Sequence, residues 1–195
     1  NTLFEVNIND YDLVEIDGED DYYKIELDKS TPILNEGAPN LPKLNTSIII
    51  PDNSNMELIV KDYEFVDIYD INIIPSKGNL SREINPNSID YIFGDEYREN
   101  KFYPENLAEL GEPYILRDLR GQGVIIYPFR YNAKTKTLRV YTKMLIEVRT
   151  SNALNKDMKN TLNRTGSIIS QSNDFKSIYE NIFINYYTDT RFEFL

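Results

Sequence analysis

Neither cysteine nor histidine occurs among the 195 residues. The usual thiolate nucleophile, imidazole base and soft metal ligands are therefore missing. What remains is the chemistry of arginine, clustered carboxylates and tyrosine. Arg82 follows Ser81 and precedes Asn85-Pro86 in a stretch without periodicity, which places it on a loop. A planar guanidinium with five donors satisfies a buried carboxylate better than lysine does; taken from the residues alone, a solvated loop arginine is the ordinary outcome. Arg117 and Arg120 flank Asp118 in Leu116-Arg117-Asp118-Leu119-Arg120-Gly121, close to a strand start. They read as structural ion pairs or loop anchors, with a place at an interface as the alternative. The acidic run Asp17-Gly18-Glu19-Asp20-Asp21 clusters oxygens that a hard cation such as Ca²⁺ would accept. It lacks the alternating spacing and closing glutamate of an EF-hand loop, so a solvated turn is the expectation. Tyr22-Tyr23 and Tyr186-Tyr187 would stack on sugar rings or fill amphipathic surface, and tyrosine is abundant throughout. No local motif marks a glycosidase carboxylate pair. No catalytic residue, cofactor or metal is assigned.

The elements that must hold these residues read as strands. Apolar residues make up 41% of the chain, with 15 Tyr and 9 Phe supplying much of the burial. That composition, rich in Ile and Val, favours a pleated, half-buried surface. The length suits one domain. A net charge of −11 without a basic stripe argues against nucleic acid and anionic membranes as partners. No apolar run is long enough to span a bilayer. The chain opens at Asn1 without a basic, then apolar, leader, so a signal peptide is expected to have been removed or left out.

Phe4, Val6 and Ile8 alternate with polar residues, as do Tyr23, Ile25 and Leu27, predicting a hairpin-like pair around the acidic turn. Residues 36–42 form a loop, and Ile48-Ile49-Ile50 a short buried strand. Met56, Leu58 and Val60 share a face, with Tyr63 and Phe65 out of phase, which predicts a β-bulge. Residues 75–104 lack periodicity and are pinned only at clusters such as Ile89 to Phe93. Val124 to Tyr131 and Leu138 to Val148, the latter in strict period two, predict a long antiparallel hairpin. Residues 150–173 read as a flexible connection. Asp174 then caps a helix carrying Phe175, Ile178, Tyr179, Ile182 and Phe183 at spacings of three and four. Many short strands and one late helix point to an all-β sandwich.

One succession of motifs is more specific. It runs Pro75-Ser76-Lys77-Gly78, Ser81-Arg82, Asn85-Pro86, Leu116-Arg117-Asp118-Leu119-Arg120-Gly121-Gln122, Tyr131-Asn132, Thr135-Lys136-Thr137-Leu138-Arg139 and Val140-Tyr141-Thr142. This resembles the N-terminal prodomain of the gingipains, secreted cysteine peptidases that cleave after arginine or lysine, and in particular of the arginine-specific members. Gly37-Ala38-Pro39 with Leu41-Pro42 matches the family's Gly-x-Pro-x-Leu-Pro element more loosely, and residues 175–186 are weakly similar. The resemblance implies a jelly-roll-like antiparallel β-sandwich with one C-terminal helix, lying beside the catalytic domain of a gingipain-like cysteine peptidase as its partner. Residues 1–173 would be the sandwich prodomain with its irregular loop at 75–104, and residues 174–195 the helix and processing linker.

By the same resemblance Arg82, in the matching place of Ser-Arg-x-x-Asn-Pro, fills the specificity pocket of the enzyme. Arg191 matches the arginine at which the prodomain is cut, and residues 192–195 would belong to the mature start or be foreign to the natural chain. The protein would be exported to the periplasm and then to the cell surface or beyond. Two rivals remain open: a stand-alone carbohydrate-binding or adhesin sandwich, and a prodomain acting only as chaperone or secretion aid.

Overall fold

The computed structural model describes residues 1–19, 21–151, 158–163 and 173–188. Its centre is β11 (Thr137–Thr150), whose alternating apolar residues require burial on a long strand. The whole of one edge pairs with β6 (Met56–Ile68). The other edge is shared by β10 (Phe129–Asn132) and then β1 (Thr2–Asn7). A second antiparallel sheet runs β4 (Thr31–Pro32), β5 (Pro42–Ile49), β9 (Leu119–Ile126), β8 (Ala108–Leu116). A small third sheet joins β2 (Asp12–Glu15), β3 (Tyr22–Glu26) and β7 (Asn72–Ile73), the last pair being parallel. The helix α1 (Asn173–Ile182) lies at the C-terminal end. This is the antiparallel sandwich with one late helix that the strand pattern and composition predict.

Three clusters hold the layers together. Ile48, Val124 and Ile126 of the second sheet, with Ile50 just past the end of β5, meet Tyr141, Met144, Ile146 and Val148 of β11 to form the sandwich core. Each such side chain contributes roughly 1.5–3 kcal/mol on leaving water. Ile25, Ile71 and Ile73 of the small sheet region pack with Phe129, Tyr131, Leu138 and Val140. On the other side of β5, Ile49 and Leu119 receive Tyr179, Phe183 and Tyr186 from α1 and the chain that follows it. The isoleucine triplet is thus buried in two directions, which is why it shows no alternation.

One expectation holds and several are corrected. The bulge in β6 is present at Lys61, where the register steps between Leu145 and Ile146. A second step in β11, at Thr142, interrupts the strict period: Tyr141 is buried and Thr142 is not. The opening hairpin is β2–β3, whereas β1 belongs to the central sheet. Its residues alternate just as β2's neighbours do, so pattern alone cannot assign the sheet. The long hairpin is only β10–β11. Pro128 has no N–H to extend the ladder, and the chain changes sheets there, leaving β9 between β5 and β8. Tyr179 in α1 is buried while Ile178 and Ile182 are exposed, and Phe183, expected in the helix, falls just past its end in a bridge with Ser47 and is buried there, so the helical stripe is wider than the face it covers. The side chain of Asp174 lies outside the described residues, as does most of 150–173.

Candidate functional site

Residues 75–104 contain no strand, only isolated bridges and two single 3₁₀ turns, as the absent periodicity implies. Both feet of its main loop stand on Gly37. The N–H of Gly37 donates to Ser76 O at 3.0 Å, and the N–H of Gly94 donates to Gly37 O at 2.9 Å. Gly37 has φ +82°, and a Cβ there would meet Gly94 N at 3.2 Å. This gives the Gly-Ala-Pro-x-Leu-Pro element its physical meaning: left-handed backbone at Gly37, a bridge from Pro39 to Pro75, and a fully buried Leu41.

Between those feet the chain leaves the body. Gly78, at φ +75°, turns it outward, and residues 81–88 are all exposed. Two local turns shape the excursion. In the first, Ile84 N donates to Ser81 O at 3.0 Å, setting Arg82 and Glu83 at the tip. In the second, Asn85 Oδ1 accepts from Asn87 N at 3.0 Å and caps the 3₁₀ turn Pro86–Ser88, while Ser88 Oγ donates to Asn85 O at 2.8 Å. Serine and asparagine stand where a side chain must replace a backbone partner, and proline where none is needed. The Ser-Arg-x-x-Asn-Pro pattern is therefore a pair of back-to-back turns that presents one arginine. The side chain of Arg82 makes no hydrogen bond or ion pair among the described residues.

The exit is better held. Phe93 meets Tyr22 at 5.7 Å and Tyr97 at 4.8 Å between ring centroids. The Tyr97 hydroxyl donates to Ile73 O at 2.7 Å, and burial pushes that phenol well above its usual range. Asn132 Nδ2 donates to Asn100 Oδ1 at 2.9 Å. The expected pinning around Ile89 to Phe93 is thus carried by the ring contacts of Phe93, although Ile92 and Phe93 both remain exposed. A cleft of about 510 Å³ separates Lys77, Ile89 and Tyr91 from Glu15 at the end of β2 and from Asp17 and Glu19 of the acidic turn. Asp20 lies outside the described residues, and among those described no three Asp or Glu side chains converge as metal ligands.

The other arginines sit elsewhere. Arg117 occupies the two-residue β8–β9 turn with φ +56°, its guanidinium 4.1 Å from the Phe175 ring centre. Its neighbour Asp118 accepts the Tyr179 hydroxyl at 2.7 Å, so the turn grips α1 from above. Arg120 is wholly buried. It donates to four backbone carbonyls, Pro51 at 2.8 Å, Ser54 at 2.6 Å, Lys159 at 3.0 Å and Asn160 at 2.8 Å. Desolvation pulls its pKa down and the Asp52 charge opposes that. Arg82 is brought together with neither. Arg191 lies outside the described residues. Of the tyrosine pairs, Tyr186 is buried against Tyr179, and the exposed Tyr187 donates its hydroxyl to Glu180. Asn185, which no motif reveals, satisfies the free edge of β5: its Oδ1 accepts from Ile49 N at 2.8 Å and its Nδ2 donates to Ile49 O at 2.9 Å. Among the described residues, no helix is long and apolar enough to cross a membrane.

Comparison with known proteins meets this geometry. The family model Propeptide_C25 matches residues 2–182. Gingipain R2 of Porphyromonas gingivalis (strain W83) is 38% identical over 156 residues, 79% of this chain and 20% of that protein. Gingipain R1 of Porphyromonas gingivalis is 38% identical over 151 residues, 77% of this chain and 14% of that protein. The chain thus spans at most one fifth of the length of these curated relatives. Among solved structures, the complex of Porphyromonas gingivalis RgpB pro- and mature domains aligns with a TM-score of 0.78 and 34% identity, covering 95% of this chain and 91% of that one. A structure of gingipain K from Porphyromonas gingivalis, concerned with its zymogenic latency, shares the fold with a TM-score of 0.65 at 18% identity, over 77% of this chain and 88% of that one. The chain belongs to the C25 propeptide family and is a gingipain-type propeptide.

Proposed function

We propose that this propeptide inhibits and helps fold the catalytic domain of a gingipain-like cysteine peptidase, covering its cleft with Arg82 in the specificity pocket. The observation that carries this reading is the loop itself. Two side-chain-stabilised turns hold an exposed arginine at their tip, and among the described residues that arginine has no partner of its own. An arginine so placed matches an enzyme pocket lined by an acid, because the guanidinium fork pairs with a carboxylate in bidentate geometry. The solved relative that pairs pro- and mature domains supports the kind of partner.

A cleft-covering interface of this class buries on the order of 1,200–2,000 Å², and tethering adds millimolar effective concentration, so modest affinity suffices for latency. Residues 1–173 act as the sandwich body with its loop at 75–104, and residues 174–195 as helix and processing linker. Cleavage at Arg191 would convert the tethered inhibitor into a dissociable one. The protein is exported to the periplasm and then to the surface or beyond.

The test is a titration of an arginine-specific gingipain catalytic domain with the folded chain. Arg82→Ala should weaken inhibition by about 30- to 1,000-fold, with Arg82→Lys in between. Unchanged inhibition by Arg82→Ala would move latency to other contacts and remove Arg82 from the mechanism.

A further inference from the structure

Among the described residues, the Arg82 loop is fastened across its neck by one side-chain hydrogen bond. Residues 79–88 make local bonds to one another, through Ser81, Asn85 and Pro86. Among the described residues, Ile89 N closes the 3₁₀ turn on Pro86 O at 3.3 Å, and one side-chain hydrogen bond ties this stretch back across its neck: Lys77 Nζ donates to the same Pro86 O at 2.8 Å. The same ammonium lies 3.9 Å from the centre of the Tyr91 ring, beyond the loop's far end.

Lys77 itself starts from rigid ground. It follows the buried Pro75 and Ser76, with Ser76 N donating to Ala38 O at 2.8 Å. Gly78 N closes onto Ser76 Oγ at 3.1 Å, and a Cβ on Gly78 would meet Glu36 Cβ at 3.1 Å. The backbone on either side of Lys77 is therefore set before the loop begins, and the side chain reaches across the loop's neck.

We propose that Lys77 is the positioning residue of the Arg82 loop: its ammonium, held over Tyr91, clamps the Pro86 carbonyl and presets the two turns that present Arg82. This rests on the reading of Arg82 as the pocket-filling residue. A charged donor on a carbonyl is stronger than a neutral one, and the aromatic face below it stabilises the same charge. The clamp converts a ten-residue excursion into a closed loop whose ordering is complete before the enzyme arrives, and preordering is what raises affinity without new contacts. Lys77 need not touch the enzyme for this.

The experiment is a double-mutant cycle on the whole chain, with inhibition of an arginine-specific gingipain catalytic domain, thermal melting and amide hydrogen exchange read in parallel. Lys77→Met keeps the stem and its packing on Tyr91 and removes the donors. It should weaken inhibition about tenfold, the worth of ordering roughly one backbone residue. Its melting temperature should match the parent's, while the amides of Ile84, Asn87 and Ser88 exchange faster. Lys77→Arg should restore most of the inhibition. Lys77→Met combined with Arg82→Ala should inhibit no worse than Arg82→Ala alone, because a clamp has nothing to position once the arginine is gone.

Inhibition by Lys77→Met equal to the parent's, with Arg82→Ala weakened, overturns the clamp and leaves the Arg82 reading intact. Additive losses overturn it too, by making Lys77 a direct contact. An unaffected Arg82→Ala removes both proposals together. If Lys77→Met melts well below the parent, Tyr91→Leu carries the test: it leaves the ammonium–carbonyl bond and removes the ring beneath it. It should give a smaller loss of inhibition that also vanishes without Arg82, and no loss counts against the clamp.

Discussion

Arg120 and Arg82 carry the same side chain into opposite circumstances. Arg120 is fully buried and its guanidinium bonds four backbone carbonyls, from the Pro51–Ser54 turn and from residues 159–160. Arg82 stands on an exposed turn, and among the described residues its side chain touches no acceptor. Taking a cation out of water costs several kcal/mol, so a buried guanidinium survives only where nearly every donor is satisfied. Around Arg120 the surrounding backbone supplies the acceptors and the arginine acts as a cross-link. Around Arg82 the backbone is satisfied by Ser81 and Asn85 instead, leaving the guanidinium free for something outside the chain.

The sharpest test of this contrast is Arg120→Met. It should destabilise the fold by about 3–5 kcal/mol, since it strands four carbonyls, and lower the melting temperature by roughly 10–15 °C. Arg120→Lys should recover only a part, one ammonium being too compact to span all four. A melt like the parent's would break the comparison from the structural side.

A smaller effect is expected at Gly121, next to Arg120. A Cβ there would lie 2.7 Å from Tyr114 and 2.8 Å from Phe183 ring atoms. Those rings stack at 6.4 Å, and the close approach of β9 beneath them needs glycine. Gly121→Ala should cost about 1–3 kcal/mol, seen as a lower urea midpoint, through loosened docking of α1.

At Asp67 the effect is smaller again and depends on pH. Arg139 bonds both carboxylate oxygens at 2.8 Å and holds the Asp67 carboxyl below the usual range. A depressed folded pKa means stability present above the unfolded value and lost as pH falls through the folded one. Asp67→Asn should therefore cost about 1 kcal/mol at neutral pH. That gap should close as pH drops below about 4, measured by urea unfolding at several pH values.

The smallest change belongs to Arg82 itself. Arg82→Ala should leave stability within about 0.5 kcal/mol of the parent by the same melts. A large loss would show that the arginine has a structural partner, and the comparison would fail.

Much of this was legible in the residues. The strands follow from alternation at Phe4-Val6 and Met144-Ile146-Val148, because one face of a pleated strand must be covered whatever covers it. The Arg82 turns are local, the first closed by a backbone bond to Ser81 O and the second by the Asn85 and Ser88 side chains, all within three residues, so Ser81, Asn85 and Pro86 announce them. Arg120 was harder. Its acceptors lie at residues 51, 54, 159 and 160, and no nearby spacing marks a bond to a distant carbonyl. Lys77 was visible only as part of a motif, since its partner is a backbone oxygen that any residue could have supplied.

By itself the sequence determined the all-β class, the position of the late helix, the bulge in β6 and the irregular loop with its exposed arginine. These depend on periodicity, on proline's missing donor and on side chains that bond their own neighbours. The tertiary structure alone decided that β1 joins β11, that β9 leaves β10 for β5, and that Asn185 closes the β5 edge. It also decided which arginine is buried. Sheet partnership and burial are set by contacts far apart in the chain, where many pairings have nearly the same local energy and only the packed whole distinguishes them.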